Sequence, residues 1–160
     1  MARILGIDPG TGILGFGVID VDRNGPALVD AGVIRTPAKD DDAVRLLTIF
    51  DELTEIIKLN KPTIMSVEKL FFSRNVTTAM TVSQARGVVL LCGMQAGMAI
   101  HEYTPMQIKQ TVTGYGSADK KQMQEMVRII LKLKEIPKPD DAADALAAAI
   151  TQSMMMRVSV

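Results

Sequence analysis

The first 36 residues alternate between apolar and polar or small side chains in short runs, a pattern typical of β-strands. Three such runs cover residues 2–8, 13–21 and 28–36. Gly10-Thr11-Gly12 separates the first two runs, and a turn at 23–26 separates the second from the third. Because both connections are short, we expect these three strands to form an antiparallel meander.

Helical periodicity dominates the remainder of the chain. Acidic residues at 40–42 precede an amphipathic helix of about 42–58, and Pro62 stops it before a fourth strand that ends at Val67-Glu68. The later predicted elements are a helix at about 75–97, a strand at about 98–103, and helices near 105–112, 118–133 and 140–155. Early strands and interleaved helices indicate an α/β fold, with a mixed sheet of about five strands and helices on both faces. We expect one domain spanning residues 1–160.

Charge is unevenly distributed although the 160-residue chain has a net charge of zero. Residues 69–139 carry ten basic and four acidic side chains, whereas both flanking regions are acidic. A basic segment of this kind can form a phosphate-binding face, although a solvated mixed surface explains the charges equally well. The one cysteine, Cys92, excludes a disulfide within the chain, which fits a reducing cytosol. The longest uncharged apolar stretch, Gly87 to Ile100, is shorter than the ~18 residues of a membrane span. We therefore expect a cytoplasmic protein.

Four acidic residues stand at the ends of predicted elements. Asp8 and Glu68 each end an apolar strand, and Asp141 and Asp144 lie one turn apart at a helix start. Each has an ordinary alternative role: Asp8 in an Asp-Pro-Gly turn, Glu68 as a solvated acid, and the pair as favourable charges on a helix dipole. Together they suggest one clustered site, and clustered carboxylates require cations to neutralise them. Asp140 precedes Asp141, so the acids that pair on this helix could instead be Asp140 and Asp144, at i, i+4 spacing.

Three lysines indicate that this site meets a phosphate. Ser117 is the expected N-cap of the helix near 118–133, which places Lys120 and Lys121 in its first turn. Cations there oppose the helix dipole, so a bound anion would explain them better than stability does. Lys109 lies on the preceding helix and could join them. The alternative is that all three are ordinary surface lysines.

Other residue types narrow the chemistry. Phe71 and Phe72 follow Glu68 and precede Arg74, so one ring could stack on a base while the other packs inward. His101 is the one histidine, and its place in a strand favours a structural role. With a single histidine and a single cysteine, Ser-His and Cys-His nucleophilic mechanisms have little support.

Five motifs resemble the RuvC family of Holliday-junction resolvases, in order and at consistent spacing over residues 2–152. They are LGIDPG at the start, VEKLFF around Glu68, QARG at 84–87, KQTVTGYGSADK at 109–120 and DAADALA at 141–147. The resemblance implies a ribonuclease-H-like fold, a homodimer and Mg²⁺-dependent paired symmetric nicking of four-way DNA junctions in recombination and repair. It also implies a branch-migration motor as a partner. The near-neutral charge, with a pI of about 6.6, departs from a family that tends to be basic.

The resemblance also assigns roles to individual residues. Asp8, Glu68, Asp141 and Asp144 fall on the family's catalytic acids, which implies two Mg²⁺ ions per subunit, with Mn²⁺ able to substitute. Lys120 falls on a basic active-site position and would stabilise phosphate charge in the transition state. Lys109 also falls on a basic active-site position, and Phe71 falls on the family's junction-contacting aromatic. Beside the resemblance, we expect Arg74, Lys109 and Lys121 to contact DNA.

Three other interpretations compete with a junction resolvase. The segment GIDPGTGILGFGVID also resembles the phosphate-binding hairpin of actin-like ATPases, but those enzymes need two such domains and 160 residues cannot supply both. A junction-binding module without catalysis would be expected to lack one of the acids, and all four are present. A nuclease of the same superfold that processes single-stranded RNA is the nearest competitor.

Overall fold

The computed structural model describes residues 1–69 and 75–158. Phe71 and Arg74, both predicted DNA contacts, lie outside the described residues. The strands are β1 (Ala2–Asp8), β2 (Ile13–Asp22), β3 (Gly25–Arg35), β4 (Ile64–Glu68) and β5 (Ala99–Tyr103). The helices are α1 (Asp42–Asn60), α2 (Val76–Gln95), α3 (Pro105–Thr113), α4 (Lys120–Ile130) and α5 (Asp140–Val158).

The five strands form one mixed sheet in the order β3-β2-β1-β4-β5. The pairs β1–β2 and β2–β3 are antiparallel, which confirms the predicted meander. The pairs β1–β4 and β4–β5 are parallel. Helix α1 carries the chain from β3 to the start of β4, and α2 crosses from the end of β4 to the start of β5. The ends of β1 and β4 therefore lie side by side.

Helices cover both faces of the sheet, as predicted. Alternate residues of β1 separate the two cores: Leu5 and Ile7 pack beneath α1 and α2, whereas Ile4 packs beneath α3, α4 and α5. Side chains in a strand point to opposite faces in turn. Asp8 has the same parity as Ile4, so its carboxyl group lies on the α5 face.

Helix α5 lies unusually close to the sheet because small residues meet on both sides. Its buried residues are mostly alanine, and β1 and β2 present Gly6, Gly15 and Gly17 beneath it. A Cβ atom at Gly6 would lie 2.0 Å from the backbone oxygen of Ala145. These glycines therefore determine how near the start of α5 comes to the ends of the strands.

One predicted helix start was wrong. Helix α4 begins at Lys120, and its N-cap is Asp119 rather than Ser117. The Asp119 side chain accepts a hydrogen bond from the backbone of Gln122, and the Gln122 side chain accepts one from the backbone of Asp119. This reciprocal pair is a capping box, which satisfies two backbone N–H groups at the start of the helix. The helix also ends at Ile130 rather than near 133.

Candidate active site

Asp8 and Glu68 are brought together by the pairing of two parallel strands. Ile7 of β1 lies opposite Val67 of β4, and the next residue on each strand is an acid. Carboxyl ends of neighbouring parallel strands meet at one edge of a sheet. Asp8 and Glu68 lie close enough there that the charge of Glu68 raises the pKa of Asp8, after burial the largest cause of that shift.

The start of α5 adds the other two acids. Gly15 is the antiparallel partner of Asp8, and a Cβ atom at Gly15 would lie 2.0 Å from the backbone oxygen of Asp141. Only glycine fits at such an approach. Asp141 and Asp144 are both half-buried, one helical turn apart, and both repel the charged form of Asp8. The structure therefore places all four predicted acids in one cluster.

Burial and mutual repulsion make these carboxylates costly to ionise. Burial raises the pKa of Asp8 well above its usual range, and the charges of Glu68, Asp144 and Asp141 raise it further. Burial also raises the pKa of Glu68, although Lys109 and Lys120 act in the opposite direction. Asp144 has its pKa raised to about 6, mainly by burial. Because burial and repulsion disfavour the ionised form of these carboxyl groups, the site is suited to binding a cation.

The donor set fits a hard divalent cation. Carboxylate oxygens are the ligands that Mg²⁺ prefers, and a bound cation would remove the repulsion that holds these pKa values high. Within the described residues, no three acidic, histidine or cysteine side chains are arranged closely enough to hold a metal ion as they stand. The carboxylates are therefore gathered at one edge of the sheet, without forming a finished cage.

A cavity of about 290 Å³ opens beside the acids. Glu68 and Asp144 line one side, Lys109 and Lys120 line another, and Ile108, Met123 and Ala147 contribute apolar surface. The Nζ atom of Lys120 lies 3.9 Å from Oδ2 of Asp144. Acids and lysines thus face the same space, as expected if a phosphate group enters it.

Lys121 is not part of this arrangement. It lines a separate cavity of about 480 Å³ with Tyr115, Met126 and Ile136, on another side of α4. Neighbouring residues of a helix point about 100° apart, so Lys120 and Lys121 cannot both face the acids. A contact between Lys121 and DNA therefore remains a prediction, and that contact would lie away from the acid cluster.

The structure favours Asp141 over Asp140 as the partner of Asp144. Asp141 is among the charges that raise the pKa of Asp8, whereas Asp140 is not. Asp140 is exposed and bonds to α4 instead, through Lys120 and Gln124. The contact of Asp140 with α4 was not predicted from the sequence, which shows only a second acid four residues before Asp144.

Known proteins are similar to this chain over most of its length. The family model described as crossover junction endodeoxyribonuclease RuvC matches residues 4–152. A protein of that name from Heliobacterium modesticaldum is 58% identical over 147 residues, which cover 92% of this chain and 91% of the relative. Another from Brevibacillus brevis is 55% identical over 151 residues, covering 94% and 91% of the two chains.

Solved structures agree with this match. Thermus thermophilus RuvC in complex with a Holliday junction substrate is 36% identical, with a TM-score of 0.94 over 99% of this chain and 97% of that one. The yeast mitochondrial Holliday junction resolvase has a TM-score of 0.70 over 99% and 81% of the two chains; at 10% identity this likeness shows a shared fold.

Across residues 1–69 and 75–158, no helix combines the length and apolar character needed to cross a membrane.

Proposed function

Because this chain belongs to the RuvC family of crossover junction endodeoxyribonucleases, we propose that it resolves Holliday junctions by paired, symmetric nicks in recombination and repair. The observation that carries this proposal is the cluster of four acids at one edge of the sheet. The clustered acids are Asp8, Glu68, Asp141 and Asp144. Lys109 and Lys120 line the same cavity, where they can stabilise negative charge on a phosphodiester.

The family is one of metal-dependent nucleases, and we propose two Mg²⁺ ions per subunit, with Mn²⁺ able to substitute. Asp8 would hold the ions together with Glu68, Asp141 and Asp144, because it interacts with all three of these acids. When bound, the ions would activate a water molecule and stabilise the leaving oxygen. The carboxylates themselves would hold and orient that water by accepting its hydrogen bonds.

Lys120 and Lys109 would act on the phosphate. Both line the cavity beside Glu68, and both favour the charged form of that carboxylate. A lysine at this position can donate to a non-bridging phosphate oxygen as negative charge develops there. Lys120 is the nearer to Asp144, so we assign it the catalytic role and give Lys109 a DNA-binding role. We propose Phe71, Arg74 and Lys121 as further DNA contacts; the family resemblance supports Phe71, and positive charge supports Arg74 and Lys121.

We propose that the protein is a homodimer that pairs through α2. One stripe of this helix is exposed at heptad-like spacing: Met80, Gln84, Gly87, Leu91 and Met94. A Cβ atom at Gly87 would meet nothing within 4 Å, which leaves room for another backbone to approach. Two related nicks require two active sites in two-fold arrangement, and a dimer supplies them.

On resemblance, we also propose a cytoplasmic protein with one nuclease domain over residues 1–160, working with a branch-migration motor.

Light scattering tests the dimer. Leu91→Glu would place a charge in the centre of the exposed stripe, so we expect a monomer at micromolar concentration. Ile129→Glu is the matched control, because Ile129 is equally exposed but lies on α4, against the opposite face of the sheet. A monomeric wild type, or a dimer that Leu91→Glu leaves intact, would contradict pairing through α2.

A substrate comparison tests the proposed activity. The purified protein would be assayed with Mg²⁺ on a mobile four-way DNA junction, a linear duplex of the same sequence and a single-stranded RNA. We expect nicks at symmetry-related positions in two strands of the junction, with little cleavage of the other two substrates. Comparable cleavage of the RNA would instead favour an RNA-processing nuclease of the same superfold.

A further inference from the structure

The ammonium group of Lys120 lies between two acids of α5. Its Nζ atom is 3.3 Å from Oδ2 of Asp140 and 3.9 Å from Oδ2 of Asp144. The two acids are four residues apart, so they lie on one face of α5, one turn after the other. Asp144 belongs to the catalytic cluster, whereas Asp140 lies outside it. Lys120 therefore has one carboxylate neighbour in the active site and one beyond its edge.

Asp140 is itself fixed by a second residue of α4. The Nε2 atom of Gln124 donates to Oδ1 of Asp140 at 3.0 Å, while Oδ2 faces Lys120. Lys120 and Gln124 are one helical turn apart, so they reach Asp140 from the same face of α4. Both oxygens of the Asp140 carboxylate thus have a partner on α4. This pair of contacts ties the first residue of α5 to the first turn of α4.

Lys120 needs such a restraint. Its ammonium group is carried on a flexible chain of four carbons, and the side chain is 58% exposed. It is also the first residue of α4, where the helix dipole repels a cation. We propose that Asp140 is a positioning residue, which holds the Lys120 ammonium at the mouth of the acid cluster. The proposal deepens the function above and rests on it.

The expected effect is modest, since an exposed ion pair contributes ~0.2–1 kcal/mol, which corresponds to roughly 1.4- to 5-fold in rate. Asp140→Asn would keep an oxygen for Gln124 while removing the charge that attracts Lys120. We expect single-turnover junction cleavage at saturating Mg²⁺ to slow by roughly 2- to 5-fold. Junction affinity without divalent cation should hold or rise, because one negative charge is lost. Asp42→Asn removes an exposed first-turn acid from α1 and should change neither quantity.

A double-mutant cycle separates positioning from a general structural role. If Asp140 acts through Lys120, then Asp140→Asn should slow Lys120→Met by less than about 1.5-fold, since the shared contact is already gone. An equal loss in both backgrounds would overturn the proposal, as would an unchanged or faster single variant. A higher Mg²⁺ requirement in both backgrounds would instead make Asp140 a cation ligand.

A measurement without catalysis keeps the inference separate from the proposed function. In the metal-free protein, an amine-reactive ester would label lysines, and mass spectrometry would follow each site. Asp140→Asn should raise the labelling rate of Lys120 by roughly 2- to 5-fold, because its ammonium loses an ion-pair partner. Lys121 is the internal control and should not change. Failure of the wild type to cleave junctions would refute the function, whereas unchanged Lys120 labelling would refute the restraint.

Discussion

Replacing Asp144 with asparagine should stabilise the metal-free protein at neutral pH, although it should abolish catalysis. Burial, together with the charges of Glu68, Asp141 and Asp140, raises the pKa of Asp144 to about 6 from an ordinary 3.8. Lys120 offsets part of this effect. Folding therefore opposes ionisation of Asp144, and asparagine keeps the shape of the side chain without its charge.

The sign and size of the effect follow from proton linkage. An acid whose pKa rises on folding binds a proton as the chain folds, so stability is lost as pH rises from about 4 through 6. About two pKa units correspond to roughly 3 kcal/mol at most. The Asp144 side chain is 31% exposed, so screening should reduce this to roughly 1–2 kcal/mol. For a chain of this size, we expect a rise in Tm of roughly 3–6 °C.

Thermal unfolding in the presence of a chelator measures this directly. Wild type and Asp144→Asn would be compared at pH 7.5 and near pH 4, with Asp42→Asn as a control for loss of an exposed acid. The gain should appear at pH 7.5 and shrink near pH 4. Added Mg²⁺ should stabilise the wild type more than the variant, because the variant has lost one ligand. A variant less stable than wild type at pH 7.5, or a gain independent of pH, would refute the reasoning.

Three further predictions address separate parts of the structure. Lys120→Met should slow single-turnover cleavage by ~10²-fold while changing junction affinity little, and equal losses in both would make it a docking contact. Gly15→Ala should cost several kcal/mol in chemical denaturation, since its Cβ would lie 2.0 Å from the backbone of α5, and an unchanged denaturation midpoint would contradict this close approach. Arg3→Ala removes the guanidinium that holds the pKa of Asp20 below its usual range. Its loss of Tm should therefore be present at pH 7 and shrink below about pH 4, and a loss that grows in acid would contradict this.

The sheet and the acid cluster were predictable because they depend on local patterns. Alternation of apolar residues marked the strands, and acids at strand ends were expected to meet at one edge. Asp8 and Glu68 do so through the parallel pairing of β1 and β4. The fold-class prediction was confirmed by the mixed five-stranded sheet and by the 0.94 TM-score with Thermus thermophilus RuvC.

The start of α4 was predicted wrongly although the sequence held the needed signal. Ser117 and Asp119 are both good N-caps, but only Asp119 is followed three residues later by a side chain that completes a capping box, Gln122. The link between Asp140 and Lys120 was beyond sequence reasoning, because it depends on the packing of α4 against α5. Phe71 and Arg74 remain predictions.

The central claim is that four clustered acids make this chain a metal-dependent junction nuclease, and Asp8→Asn tests it most directly. The measurement is cleavage of a four-way junction in Mg²⁺, with junction binding recorded separately without divalent cation. We predict that the folded variant binds the junction as tightly as wild type or slightly more tightly, because one repulsive charge is lost. Nicking should disappear, because Asp8 interacts with all three other acids that would bind the metal ions. Cleavage by this variant at a near wild-type rate would contradict the account.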